Sequence, residues 1–271
     1  MKKLKIRHIP ERRVAGKPLG RHVHHDPRSR AYAYVRAGAK AGVYTSAKHT
    51  RHIPVLDQGD VGSCTGNACE GAIGTSGLYD ALSEALRPST TDAAADEAAA
   101  VALYSRATQL DGIPGAYPPA DTGSDGLSVA KAAKEKGLIS GYLHAFSLDA
   151  ALRALEQQPV IAGIDWYEGF DNPGSTGLVQ ISGRVRGGHE IVFDEIDAEK
   201  KIVWFTNSWG PSWGVNGRAN MSFSTLGKLL ASDGDATILL PLTQPPPQPT
   251  PLPKPPWWSP IWWWSRLRGA S

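Results

Sequence analysis

The first half of the chain has the spacing of apolar and small residues that is typical of helices. We predict a helix over residues 64–86 and a second over 91–110, where Thr and Asp precede an alanine-rich run. A third helix is predicted over 124–139, because its lysine-rich end is followed by a glycine. A fourth is predicted over 147–158, which opens on a serine and is followed by a proline.

After Pro159 the pattern changes to short runs rich in β-branched and aromatic residues, which are typical of strands. These runs are PVIAGIDW, GLVQIS, HEIVFDEI, KIVWFTNSW and GRANMSF. A helical half followed by a strand half predicts an α+β protein with two lobes. A cleft between such lobes is the default place for chemistry.

Charge divides the chain into three parts. Residues 1–52 carry 14 Lys and Arg against 2 Asp and Glu, residues 53–240 carry 12 against 24, and residues 241–271 carry 3 against none. We therefore expect one domain over 50–242, preceded by a basic segment and followed by a tail of different character.

The basic segment, residues 1–49, is called the arm below. It has no sustained periodicity, so we expect extended or irregular structure. Three interpretations stay open: it lies over the acidic body by charge attraction, it is a prosegment that covers the cleft until it is cleaved, or it binds nucleic acid. No aromatic-interleaved platform or nucleic-acid motif supports the last. His22, His24 and His25 lack a carboxylate or cysteine at ligand spacing, so we expect no metal site.

The tail, residues 243–271, begins as a stiff proline-rich spacer and ends in a cluster of tryptophans. So many exposed aromatic side chains are costly unless they have a partner. A membrane interface, a cell-wall or protein surface, and the chain's own body are the candidates. The five tryptophans are Trp257, Trp258, Trp262, Trp263 and Trp264.

Cys64 is the candidate nucleophile. It closes the glycine-rich run that starts at Gln58, and it stands at the start of the first predicted helix. A thiol at a helix N-terminus meets free N–H groups and the positive end of the dipole, which favour the thiolate. Cys69, inside the same helix, fits the more common role of a buried, inert cysteine.

His189 and Asn207 are candidates for the groups that activate this thiol. His189 follows two glycines, which would let a substrate backbone approach the imidazole closely. Asn207 could accept a hydrogen bond from the ring and fix its tautomer and orientation. Trp209 could shield that bond from water. Glu190 should face away from His189 by strand alternation, in a structural or solvated position.

The motifs QGDVGSC, GGHE and NSWGPSWG, in this order, resemble those of the papain family of cysteine peptidases. The resemblance covers roughly residues 52–225, and GSCTGNA without disulfide cysteines looks like the bacterial and phage branch. It implies a papain-like two-lobe fold with the active-site cleft between the lobes. The N-terminal helical lobe would span about 50–145, and the C-terminal, antiparallel β-barrel-like lobe about 146–242.

The resemblance also implies roles for individual residues. Cys64 would be the nucleophile, His189 the proton acceptor and donor, and Asn207 the residue that orients it. The side chain of Gln58 and the Cys64 backbone N–H would form the oxyanion hole. Trp209 would cover the bond between asparagine and histidine.

Substrate-binding residues are implied in the same way. Gly123 and Ser124 would form the non-primed wall that binds substrate backbone, and Trp213 part of the primed-side wall. Gly188 and Asp165 would border the second substrate pocket. If Asp165 points into that pocket a basic residue would be favoured there; a surface position is the other interpretation.

The function implied is that of a cysteine endopeptidase, which hydrolyses a polypeptide substrate through a thioester. The rivals are a cysteine-dependent acyl transferase and a non-catalytic binding or structural protein on a peptidase fold. No phosphate loop or dinucleotide fingerprint appears, so we expect no cofactor. We expect a monomer without a cleavable signal peptide or a transmembrane span, cytoplasmic or phage-associated.

Overall fold

Five α-helices are present in the part of the chain that the structure describes. The structure is a computed structural model that describes residues 5–36, 38, 40 and 42–250. The helices are α1 (Cys64–Ile73), α2 (Ala93–Leu110), α3 (Gly126–Glu135), α4 (Leu148–Leu155) and α5 (Phe223–Ala231), with short 3-10 turns at Pro27–Tyr32, Tyr79–Ala81, Glu84–Leu86 and Glu168–Phe170.

Polar side chains cap most of these helices. Asp92 accepts hydrogen bonds from two backbone N–H groups at the start of α2. Asp125, Ser147 and Ser222 each accept one at the starts of α3, α4 and α5. These bonds satisfy N–H groups that have no partner inside the helix, which is why the predicted starts of α2, α3 and α4 are close to the observed ones. Helix α5 was not predicted.

The predicted helix over 64–86 is wrong in its length. Helix α1 ends at Ile73, where the N–H of Gly74 bonds back to the carbonyl of Glu70. The next free N–H group, that of Ser76, donates to the carbonyl of Thr50 instead of a helical carbonyl. This tertiary bond takes the chain out of the helix, and only 3-10 turns follow.

Nine strands make the rest of the described fold, and all their pairings are antiparallel. They are β1 (Lys5–Arg7), β2 (Val23–His25), β3 (Ala47–Lys48), β4 (Gly141–Ala145), β5 (Val160–Tyr167), β6 (Val185–Asp197), β7 (Ile202–Thr206), β8 (Arg218–Ser222) and β9 (Asp235–Leu240). β1 and β2 form a small sheet of their own. The other seven form one sheet in the order β4-β9-β5-β6-β7-β8, with β3 also paired to β6.

The α+β prediction is confirmed, and its strand half needs three corrections. Among the described residues the large sheet is open, with β4 and β8 at its two edges, so it is not a closed barrel. The run GLVQIS is not a strand, because only Leu178 in it forms a bridge, to Asn220. β4 and β9 were not predicted.

The sheet separates two hydrophobic cores because side chains alternate along its strands. Ala162, Ile164 and Trp166 of β5 face a core that includes side chains from α4 and α5. Ile161 of the same strand faces a second core, which α1, α2 and α3 complete. Helices therefore cover both faces of the sheet.

The start of the predicted spacer lies on the body. Pro247 lies against Gly141, and the Thr250 N–H donates to the carbonyl of Ala31 at 2.8 Å. The tryptophan-rich part of the tail, residues 251–271, lies outside the described residues. No helix among residues 5–36 and 42–250 has the length and apolar character needed to cross a membrane.

Trp166 generates a stability prediction. It is fully buried, and its ring makes edge contacts with Phe170 and Trp209 at centroid distances of 5.3 and 5.0 Å. We expect Trp166→Ala to lower the free energy of unfolding by about 3–5 kcal/mol, because it leaves a cavity in the core. Urea unfolding followed by circular dichroism measures this. Leu86→Ala is the control, since Leu86 is 42% exposed, and an equal loss in both variants would contradict the assignment of Trp166 to the core.

Candidate active site

Cys64 is the first residue of α1, at the boundary between the helices and the sheet. Its side chain is fully buried. The backbone N–H of Glu190 on β6 hydrogen-bonds to the sulfur, so the thiol lies beside the strand that carries His189. Burial raises the pKa of the Cys64 thiol well above its ordinary value, and the N–H bond offsets only part of this effect.

His189 and Asn207 lie together. The Nε2 atom of His189 is 2.7 Å from the side-chain oxygen Oδ1 of Asn207. The backbone N–H of Ser208 donates to the same oxygen at 2.8 Å. Because Oδ1 is thus an acceptor, Nε2 of His189 carries the proton, and Nδ1 holds a lone pair. Nδ1 has no hydrogen-bond partner among the described residues.

Aromatic rings surround this histidine. The Trp209 ring lies 5.1 Å from the imidazole and the Trp166 ring 4.7 Å, measured between centroids. Trp213 packs against Trp209 at 5.6 Å, and its Nε1 donates to the carbonyl of Asp171. Desolvation in this setting lowers the pKa of His189 to about 3, although the bond to Asn207 acts in the opposite direction.

Gln58 is joined to the same group of residues through Ser208. Its Oε1 accepts from the Ser208 hydroxyl at 2.6 Å, and its backbone N–H donates to the Ser208 carbonyl at 2.9 Å. Its Nε2 donates to the carbonyl of Val61 at 2.8 Å. A side-chain amide has two N–H groups, so one remains for another acceptor. The loop after β7 therefore orients both Gln58 and His189.

The arm runs through the cleft beside these residues. The N–H groups of Gly20 and Arg21 both donate to the carbonyl of Gly188, at 3.1 and 2.9 Å. The N–H of His22 donates to the carbonyl of Ser124, and the N–H of Ser124 donates to the carbonyl of Gly20. The arm thus pairs with both walls of the cleft.

Glycines make this close approach possible. A Cβ atom on Gly188 would overlap the carbonyl of Arg21, and one on Gly123 would overlap the carbonyl of Gly20. A Cβ on Gly20 would overlap the carbonyl of Gly62, two residues before the thiol. Cys64 and His189 have no exposed surface in this arrangement.

All the residues predicted for substrate binding lie along the arm or next to it. Gly123, Ser124 and Gly188 contact its backbone. Asp165 lies 3.7 Å from the guanidinium of Arg7, and it is buried rather than on the surface. Trp213 packs beside Trp209, whose Nε1 donates to the carbonyl of Pro18 in the arm.

Sequence reasoning missed Trp166, Ser208 and Asp235 in this region, and it did not connect Glu190 with Arg21. Trp166 and Ser208 contact the histidine and its neighbours, and Glu190 and Asp235 surround Arg21. Glu190 does project away from His189 as expected, and of the two positions expected for it, structural or solvated, it has the buried one. Alternation along β5 could have placed Trp166 on the same face as His189. The position of Asp235 has no signal in the sequence.

Comparisons with solved structures identify the fold. The cysteine protease xylellain from Xylella fastidiosa matches with a TM-score of 0.64 and 18% identity, over 85% of this chain and 98% of that one. The digestive procathepsin L2 proteinase from Tenebrio molitor matches with a TM-score of 0.50 and 15% identity, over 82% of this chain and 84% of that one. The chain therefore has a papain-like fold. No protein-family model and no curated protein matches the sequence.

The low pKa of His189 gives a testable titration. We expect its imidazole to stay neutral from pH 7 to about 4, whereas an ordinary imidazole titrates near 6.5. The unfolded chain would bind this proton below about 6.5, so this residue makes the fold less stable as the pH falls from there towards 3. Imidazole ¹⁵N chemical shifts, assigned by their loss in His189→Ala, measure the titration. A midpoint near 6.5 with the arm in place would contradict it.

Proposed function

We propose that this chain is a papain-like cysteine endopeptidase, of the bacterial and phage branch, that is held inactive by its own arm. The observation that carries the proposal is the buried bond between His189 and Asn207. This bond leaves the lone pair of Nδ1 on the side of the ring away from Asn207, and the residue after His189 supplies the N–H that contacts the Cys64 sulfur. The lack of disulfides supports the branch, since both cysteines are free.

The reaction follows from these groups. His189 Nδ1 takes the proton of the Cys64 thiol, and the thiolate attacks the carbonyl carbon of the scissile peptide bond. The Cys64 backbone N–H and the second N–H of the Gln58 amide donate to the oxyanion. His189 then gives its proton to the leaving amine. Water, deprotonated by His189, hydrolyses the thioester and restores the thiol.

The arm opposes this reaction in two ways. It occupies the space between Gly188 and Ser124, where substrate backbone would bind. It also keeps both reacting groups dry, which favours the uncharged thiol and imidazole over the ion pair. Removal of the arm from the cleft would admit both substrate and water.

The direction of the arm explains why it is not itself a substrate. His189 must protonate the leaving amine, so the leaving side of the cleft is the side of Trp209, and the acyl side is that of Ser124. Along the arm, Pro18 contacts Trp209 and His22 contacts Ser124, so the arm runs from the leaving side to the acyl side. In a substrate the acyl part comes first in the sequence, so a substrate would run in the opposite direction.

Covalent labelling tests the nucleophile. We expect a peptidyl epoxysuccinyl inhibitor to add once to the full-length chain at Cys64, and to react at least about 100-fold more slowly with His189→Ala, which lacks the base. Intact mass and peptide mapping measure this. Cys69→Ala is the matched control in the same helix and should label like the wild type. Labelling at Cys69, or equal rates with and without His189, would overturn the proposal.

A single methyl group tests the role of the arm. Gly20→Ala places a Cβ against the carbonyl of Gly62, and such overpacking costs about 1–3 kcal/mol. We expect Cys64 labelling and peptide hydrolysis to become roughly 5- to 100-fold faster, because the arm leaves the cleft more often.

Gly16→Ala is the control for this variant. Gly16 is also in the arm and also has a positive φ, but it has open space around it. We expect its rates to stay near those of the wild type. If hydrogen exchange shows the arm released in Gly20→Ala while labelling stays slow, the arm does not block the site.

A further inference from the structure

Arg21 of the arm fills a pocket that is lined by acidic side chains. Its guanidinium is fully buried, and Nη2 donates to a carboxylate oxygen of Asp235 and to the carbonyl of Asp233. Glu190 and Asp165 are the other negative groups that act on it. We call this space, bounded by Glu190, Asp235 and Asp165, the acidic pocket.

A missing side chain provides the room for the guanidinium. Gly163 on β5 pairs directly with Glu190 on β6. A Cβ on Gly163 would lie 2.7 Å from Glu190 Oε2 and 2.7 Å from Asp235 Oδ1, and it would overlap Arg21 Nε. The three charged groups thus surround the one position that a side chain at residue 163 would fill. Any larger residue there would expel the guanidinium.

The acidic pocket needs a cation. Neither carboxylate oxygen of Glu190 has a hydrogen-bond donor among the described residues, and the side chain is 1% exposed. Burial and the neighbouring charge of Asp235 raise the pKa of Glu190, while Arg21 lowers it. Arg7 lies by Asp165, but its side chain is 42% exposed and remains at the edge. When Arg21 leaves, the buried carboxyl groups must take up protons or meet another cation, and a basic side chain of a substrate would supply that cation.

The position of the acidic pocket along the cleft is also defined. Arg21 is one residue beyond Gly20, which lies against Gly62 beside the thiol, and its backbone forms a bridge with Ser124. The side of Ser124 is the acyl side of the cleft in the proposed reaction. A substrate runs in the opposite direction to the arm, so the side chain that enters the acidic pocket would be that of the second residue before the cleaved bond.

We infer that the acidic pocket selects substrates with a basic side chain, arginine before lysine, at the second residue before the cleaved bond. Arg21 occupies the place of that side chain when the arm is in the cleft. A guanidinium stays charged and is weakly hydrated when it is buried, whereas a buried lysine ammonium readily loses its charge, so arginine is favoured over lysine. The inference rests on the proposed function.

Hydrolysis of a set of acyl-X-Arg coumarin amides tests the inference. X is Arg, Lys, Leu or Glu, and the enzyme is the full-length Gly20→Ala chain, with active sites counted by Cys64 titration. We expect kcat/KM for Arg to exceed that for Leu at least about tenfold, and Glu190→Gln or Asp235→Asn to remove most of this difference. Asp197→Asn changes a half-buried carboxylate at the far end of β6 from His189 and should leave the ratio unchanged.

A binding measurement separates this inference from the proposed function. Arg21→Ala empties the acidic pocket, and calorimetry then compares acetyl-Arg-Gly-amide with its Leu counterpart on the full-length chain. We expect Arg21→Ala to bind the arginine ligand at least about tenfold more tightly than the leucine ligand. The double variant Arg21→Ala, Glu190→Gln should lose this difference. This result supports the acidic pocket even if Cys64 does not titrate. Equal binding of both ligands, or a preference for Leu in hydrolysis by a titratable enzyme, overturns it.

Discussion

The carbonyl of Gly188 accepts two hydrogen bonds from the arm, and the arrangement of the cleft depends on this contact. It brings the arm's backbone to the residue that precedes His189. It is possible only because residue 188 has no side chain, since a Cβ there would overlap the carbonyl of Arg21. From this contact follow the burial of Cys64 and His189 and the entry of Arg21 into the acidic pocket. A side chain larger than hydrogen at Gly188 would separate the two segments.

Much of the fold could be predicted from periodicity, and the errors have physical causes. Helices α2 and α4 carry their own caps, so local sequence fixes where they start. The end of α1 depends on the carbonyl of Thr50, which is distant in sequence, so local pattern could not indicate it. Strand β9 is an inner strand between β4 and β5. Its pairing partners, β4 and β5, lie far away in the sequence. The strand itself has only six residues, so local pattern did not indicate it.

The candidate site was predictable to the extent that each group belongs to a local motif. Gln58, Cys64, His189 and Asn207 each stand in a glycine- or tryptophan-containing motif, and the structure brings their side chains into one region. The acidic pocket has no such motif. Glu190, Asp235 and Arg21 come from three distant segments that only the folded chain brings together. Charge composition allowed the arm to lie on the body as one of three interpretations, but it did not indicate where.

Alternation along β6 separates two kinds of mutational constraint. His189 and Glu190 are neighbours in sequence, yet their side chains lie on opposite faces of the strand. The contact of residue 190 with the Cys64 sulfur comes from its backbone N–H, which every amino acid except proline supplies. Sequence drift at position 190 can therefore change which side chain the neighbouring pocket accepts while the sulfur keeps its hydrogen bond. In the proposed reaction position 189 has no comparable freedom, so substitutions in this strand would change the proposed preference more readily than the chemistry.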